Sequence, residues 1–148
     1  MKKKSRKPKA APKPKIKPQY NIPGIAKGLH SKIECVVPFE WTIAAYDSTL
    51  PAVFSTPAMI GLMELAAAQA IRPHLPAGTI SVGTRIEVDH LKAVGQGEKV
   101  EATARLTGMR GRFLVFETEA RADETLIGSG RVFRAIVVTE NFHKRSAE

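Results

Sequence analysis

An α+β domain, in which one long apolar helix is wrapped by a curved and mostly antiparallel sheet, is what this 148-residue sequence predicts. Three observations lead there. One helix-length segment, 58–72, is apolar on nearly every face. Four segments with a two-residue period follow it, the last three separated by short turns. The length that remains after a basic tail suits one hydrophobic core rather than two.

The tail is residues 1–19. It holds eight lysines, Arg6 and no acidic residue, a charge of +9, which is the formal net charge of the whole chain. The domain, 20–148, is therefore charge-balanced, and the basic pI describes the tail alone. Prolines 8, 12, 14 and 18 remove backbone donors and disfavour helix, and like charges repel, so the segment is expected to be disordered. It is read as a solubilising arm with, at most, weak contact to polyanions. No apolar run is long enough to span a bilayer, and no apolar region follows the basic start as in a secretory signal. Cys35 is the only cysteine, which fits a reducing compartment, and a cytoplasmic location is expected.

Ile33–Pro38 reads as a first strand ended by proline. Residues 40–54 carry Trp41, Tyr46, Leu50 and Phe54 without a clean period and read as a loop or short helix. Thr56 is a suitable N-cap and Pro57 a suitable first helical residue. The helix that follows, AMIGLMELAAAQAIR, is expected to be buried all round and is closed by Pro73 and Pro76. Strands are then expected over 79–94, 98–107, 112–122 and 125–138, with turns at 108–111 and 123–124. In the second of these, Val100, Ala102, Ala104 and Leu106 share one face. A helix wrapped by such a sheet is the hotdog arrangement. It leaves apolar surface uncovered in one chain, so a homodimer is expected.

Four residues stand out chemically. Glu64 is the sole ionisable group between Thr56 and Arg72. An isolated buried carboxylate is costly, so it is either a site residue or one paired with an arginine. Thr56 caps a helix whose N-terminus presents unpaired N–H groups to an oxyanion. His90 closes its strand, and Gly83 inside that strand marks a bulge or a close approach. His30, His74 and His143 have no metal-ligand spacing, and no metal is expected.

The string Ser55-Thr56-Pro57-Ala58-Met59-Ile60-Gly61-Leu62-Met63-Glu64 resembles the central-helix motif of the fluoroacetyl-CoA thioesterase-like hotdog proteins. There a Thr-Pro step starts the helix and a Glu follows eight residues after the Thr. Val82-Gly83-Thr84 through Asp89-His90-Leu91 is similar to that family's glycine strand ending in a histidine, and Gly130 to Arg134 to its Gly-x-x-x-Arg segment. The resemblance covers about residues 33–139. It implies an acyl-CoA thioesterase acting on a short acyl-CoA, with Thr56, Glu64 and His90 catalytic and Gly83 and Arg134 beside the substrate. It implies no cofactor, CoA being part of the substrate. Glu64 would activate water or attack the carbonyl, Thr56 would polarise it, and His90 would help the thiolate leave. The stretch Tyr46 to Phe54 occupies the place of the family's aromatic gate, with Tyr46 and Phe54 as candidates. Among the arginines, the Arg110-Gly111-Arg112 turn is the best candidate for CoA phosphates. The competing class is a non-catalytic acyl-CoA sensor, a dimer tethered to a polyanion by its tail.

Overall fold

The structure is a computed structural model that describes residues 21–141. The expectations for the tail, 1–19, lie outside the described residues. Five strands and one long helix follow in the order β1 (His30–Val36), α1 (Thr56–Ile71), β2 (Thr79–His90), β3 (Lys99–Arg110), β4 (Phe113–Ala122) and β5 (Thr125–Val138). The strands make one sheet in the order β1-β3-β4-β5-β2, every neighbouring pair antiparallel. β1 starts three residues earlier than its pattern suggested and stops before Val37. The segment before α1 holds two short 3-10 turns, Phe39–Trp41 and Ile43–Ala45.

The β3–β4 turn is tighter than expected. Gly108 and Met109 remain in β3, because a bulge between Leu106 and Gly108 keeps the strand paired as far as Arg110. Only Gly111 and Arg112 turn the chain, with Gly111 at a φ of 58° that a residue with a Cβ adopts reluctantly.

The concave face of the sheet carries the core. Val100, Ala102, Ala104 and Leu106 of β3 are buried as the alternation predicts, and Leu114, Phe116 and Ala120 of β4 join them. Small side chains here make room for two large ones from the helix, Met59 and Met63, both fully buried. A Cβ on Gly128 would lie 2.6 Å from both Sδ and Cε of Met59, so the glycine is where the thioether sits. Burial of a side chain of that size contributes roughly 1.5–3 kcal/mol.

The helix departs from its expected burial on all sides. Leu65 is 44% exposed, and Gly61 and Gln69 also face outward. The sheet covers one side of α1, and among the described residues Trp41 approaches part of the other side, beside Gly61 and Leu65. Among the described residues no helix is long and apolar enough to cross a membrane.

Among the described residues, one buried side-chain polar atom lacks a partner. Thr118 is 3% exposed on the concave face, and its Oγ1 makes no hydrogen bond. An unsatisfied buried hydroxyl costs about 1–3 kcal/mol. Thr118→Val, nearly isosteric, is therefore expected to raise stability by about 1 kcal/mol in urea unfolding. A loss of stability would show that the hydroxyl is satisfied in solution.

Candidate functional site

The five residues singled out by sequence collect along the seam between α1 and β2, in two groups. Thr56 and His90 form the first: Thr56 Oγ1 lies 2.8 Å from His90 Nδ1. Glu64, Gly83 and Arg134 form the second. Among the described residues no hydrogen bond or ion pair joins one group to the other. Thr56 and Glu64, eight residues apart, are separated by about 12 Å of helix rise.

Thr56 is free to meet His90 because it is not the N-cap. Ser55 caps α1, its hydroxyl accepting from the Ala58 amide at 3.3 Å, and Thr56 and Pro57 are the first two helical residues. Serine caps at least as well as threonine, so the shift by one residue costs the helix nothing and releases the Thr56 hydroxyl. The start of the helix is fixed from outside as well. The Ser55 amide donates to the Trp41 carbonyl at 2.8 Å, and the Phe54 amide to the Val94 carbonyl at 2.7 Å.

His90 is held at both ring nitrogens. Nε2 lies 3.1 Å from the carbonyl oxygen of Lys92. A carbonyl only accepts, so Nε2 carries a proton. In the neutral ring Nδ1 is then an acceptor, and the Thr56 hydroxyl donates to it. The Lys92 carbonyl is fixed in turn, since the Leu91 and Lys92 amides both reach the Ile127 carbonyl, at 2.7 and 3.3 Å. No sequence signal marks a backbone carbonyl as a functional group, and Lys92 was missed for that reason.

The second group depends on the glycine. Gly83 pairs with Arg134 across β2 and β5, and a Cβ on Gly83 would collide with Glu64 Oε1. The close approach expected of this glycine is thus made by the helix carboxylate. Glu64 Oε1 lies 3.6 Å from Arg134 Nη1. Arg134 is only 7% exposed. Its Nε donates to Ser81 Oγ at 3.0 Å and its Nη2 to the Ser81 carbonyl at 2.9 Å. Burial pushes the guanidinium below the usual arginine range, and the Glu64 carboxylate opposes that shift. Ser81 also escaped the sequence reading; its place two residues before Gly83 is its only mark.

A bulge brings both groups to one face. Gly83 and His90 are seven residues apart, an odd number that would place them on opposite faces of a regular strand. The register shifts between Gly83 and Arg85, and the extra residue restores the match. Gly83 sits opposite Arg134, and His90 opposite Gly128, whose missing side chain would meet Met59. Both therefore face the helix.

Of the gate candidates, Phe54 is a core residue, 1% exposed and stacked on Trp41 with ring centroids 6.4 Å apart. Tyr46 is 71% exposed. Among the described residues, no three His, Cys, Asp or Glu side chains gather as metal ligands would.

This geometry separates capping from chemistry. Ser55→Ala is expected to lower stability by about 1 kcal/mol in urea unfolding, whereas Thr56→Val lowers it by less than half as much. The reverse order would return the cap to Thr56.

Comparison with known proteins places these residues in context. Residues 37–140 match the family model described as fluoroacetyl-CoA-specific thioesterase. A fluoroacetyl-CoA thioesterase of Streptantibioticus cattleyicolor is 40% identical over 95 residues, which cover 64% of this chain and 68% of that protein. The solved structure of the fluoroacetyl-CoA thioesterase FlK is 34% identical, with a TM-score of 0.78 over 84% of this chain and 96% of FlK. A thioesterase superfamily member of Thermus thermophilus is 27% identical, with a TM-score of 0.78 over 85% of this chain and 93% of that one.

Proposed function

The chain belongs to the fluoroacetyl-CoA-specific thioesterase family, and on that premise we propose that it hydrolyses short-chain acyl-CoA to the carboxylic acid and CoA at Thr56, Glu64 and His90. The observation that carries the residue assignment is the 2.8 Å contact of the Thr56 hydroxyl with His90 Nδ1, in which the hydroxyl donates when Nε2 holds the ring proton against the Lys92 carbonyl. A hydroxyl committed to a base in this way is an activated nucleophile, and its proton is not available to polarise the carbonyl. In this reading Thr56 acts as nucleophile rather than as the donor to the carbonyl.

Thr56 Oγ attacks the thioester carbonyl while its proton moves to His90 Nδ1. The tetrahedral intermediate collapses with cleavage of the carbon–sulfur bond. CoA departs as the thiol, taking the proton from the imidazolium, and the acyl group remains as an ester on Thr56. Water then attacks that ester, losing its proton to a base, and the Thr56 oxygen leaves and takes a proton back from that base through solvent, restoring the hydroxyl. Glu64, placed by Arg134 and by the absence of a side chain at Gly83, is the base proposed for this second step. The steps use side chains of this chain and water, with CoA arriving as part of the substrate.

Thr56→Val and His90→Ala are each expected to lower kcat for short acyl-CoA thioesters by about 10²–10⁴. Glu64→Gln is expected to accumulate an acyl ester on Thr56, read by mass spectrometry of the intact protein. Release of CoA at the parent rate by Thr56→Val would remove threonine from the mechanism. A Glu64→Gln protein acylated elsewhere would reassign the nucleophile.

The dimer expected from sequence is proposed to form along β2. The two sheet edges differ. β1 is short and crossed by ion pairs, Lys32 to Glu101 and Lys99 to Glu34, both at 3.0 Å, and such charged edges resist pairing. β2 is a twelve-residue edge with Ile80 and Ile86 40% and 37% exposed, and the outer side of α1 carries Leu65. Sedimentation is expected to give twice the 16.1 kDa chain mass, and Ile86→Lys with Leu65→Lys is expected to give the monomer. A parent that sediments as a monomer would overturn the dimer.

A further inference from the structure

Thr56, Ile60, Glu64, Ala68 and Arg72 stand at four-residue spacing and so form one ridge of α1. The ridge meets β2 in reverse order. Thr56 touches His90, Glu64 approaches Gly83, and Ala68 and Arg72 reach the start of the strand. At that last position lies a cavity of about 330 Å³, lined among others by Ala68, Arg72, Leu75, Gly78, Ile80 and Ser81. It is therefore the far end of the seam that holds the catalytic residues.

The nearest carboxylate on the ridge, Glu64, is engaged by Arg134. No carboxylate lines the cavity, and the sequence has none from Arg72 to Ile86, from Leu106 to Phe116 or from Thr125 to Thr139. The first of these stretches lines the cavity and runs on along β2. The other two supply the end of β5 and the β3–β4 turn, where the Arg112 carbonyl accepts from the Ile136 amide at 2.9 Å and Ile136 pairs with Ser81. Arg72 has no ion-pair partner among the described residues. Ser81 already accepts from Arg134, so its own hydroxyl proton points elsewhere. A guanidinium, a free hydroxyl proton and a lining without carboxylates favour a polyanionic ligand group.

We infer that this cavity binds the phosphates of the CoA nucleotide, with Arg72 as their principal ligand. The inference rests on the acyl-CoA reading above and assigns the opposite end of the substrate. Thr56 and Arg72 are separated by about 24 Å of helix, a span suited to an extended pantetheine arm plus the reach of an arginine side chain. The arm runs along the ridge past Glu64, a third of whose side chain is exposed.

The test compares acetyl-CoA with S-acetylpantetheine, which carries the same thioester without the nucleotide. Arg72→Gln is expected to raise KM for acetyl-CoA about tenfold, the loss of one charged hydrogen-bonding partner, with kcat unchanged and S-acetylpantetheine unaffected. Ala68→Leu, which fills the cavity and keeps a good helix former, is expected to do the same. An unchanged KM for acetyl-CoA in both variants overturns the assignment, as does an equal rise for both thioesters. A rise confined to succinyl-CoA also overturns it, by giving Arg72 to an acyl carboxylate. If the parent hydrolyses neither thioester, the activity reading fails separately. Calorimetry with CoA alone then decides the cavity: about tenfold weaker binding by Arg72→Gln supports it, and equal binding overturns it.

Discussion

The site depends on one extra residue in one strand. Without the bulge between Gly83 and Arg85, the histidine that ends β2 and the glycine in its middle would point to opposite sides of the sheet. With it, the same strand presents a gap to the helix at one place and an imidazole at another. The helix answers with matching spacing, since Thr56 and Glu64 share a ridge and meet these two features in turn. A regular strand would satisfy the backbone equally well, so the irregularity has its rationale in what it aims rather than in what it stabilises.

Supporting contacts converge on the same seam from three other directions. Ser55 takes over the cap and leaves Thr56 to face His90. The turn after β2 brings the Lys92 carbonyl under the second ring nitrogen. From β5, Arg134 spans the gap between Ser81 and Glu64 with almost no exposure to solvent. A buried cation is costly unless each of its donors finds an acceptor, and two of its nitrogens are met by a neighbouring strand. Glu64 adds the opposing charge.

Much of this was legible in the residues. The period-two segments and the single apolar helix were enough for the architecture, because a half-buried strand and a buried helix leave different imprints. Glu64 was visible as a charge in an apolar run, and Gly83 as a glycine where strands disfavour it. What escaped is of another kind. Ser55 and Thr56 are both good caps, and only the tertiary partner of Thr56 decides between them. The Lys92 carbonyl belongs to the backbone, which every residue possesses, and the pairing of Ser81 with Arg134 joins positions 53 apart. Leu65 looked buried because the pattern of a helix does not say which chain will cover it. The +9 charge of the chain belongs to residues 1–19, so the basic pI carries no information about the domain that holds the site.

The tethering of His90 limits how it handles protons. With Nε2 committed to a main-chain oxygen, the ring has a single port, Nδ1. A histidine that rotates or relays can take a proton at one nitrogen and give it up at the other. This one has to return each proton through the atom that received it. The departing sulfur therefore takes its proton at the same spot beside Thr56 where the ring received it, and that position is imposed by a backbone carbonyl.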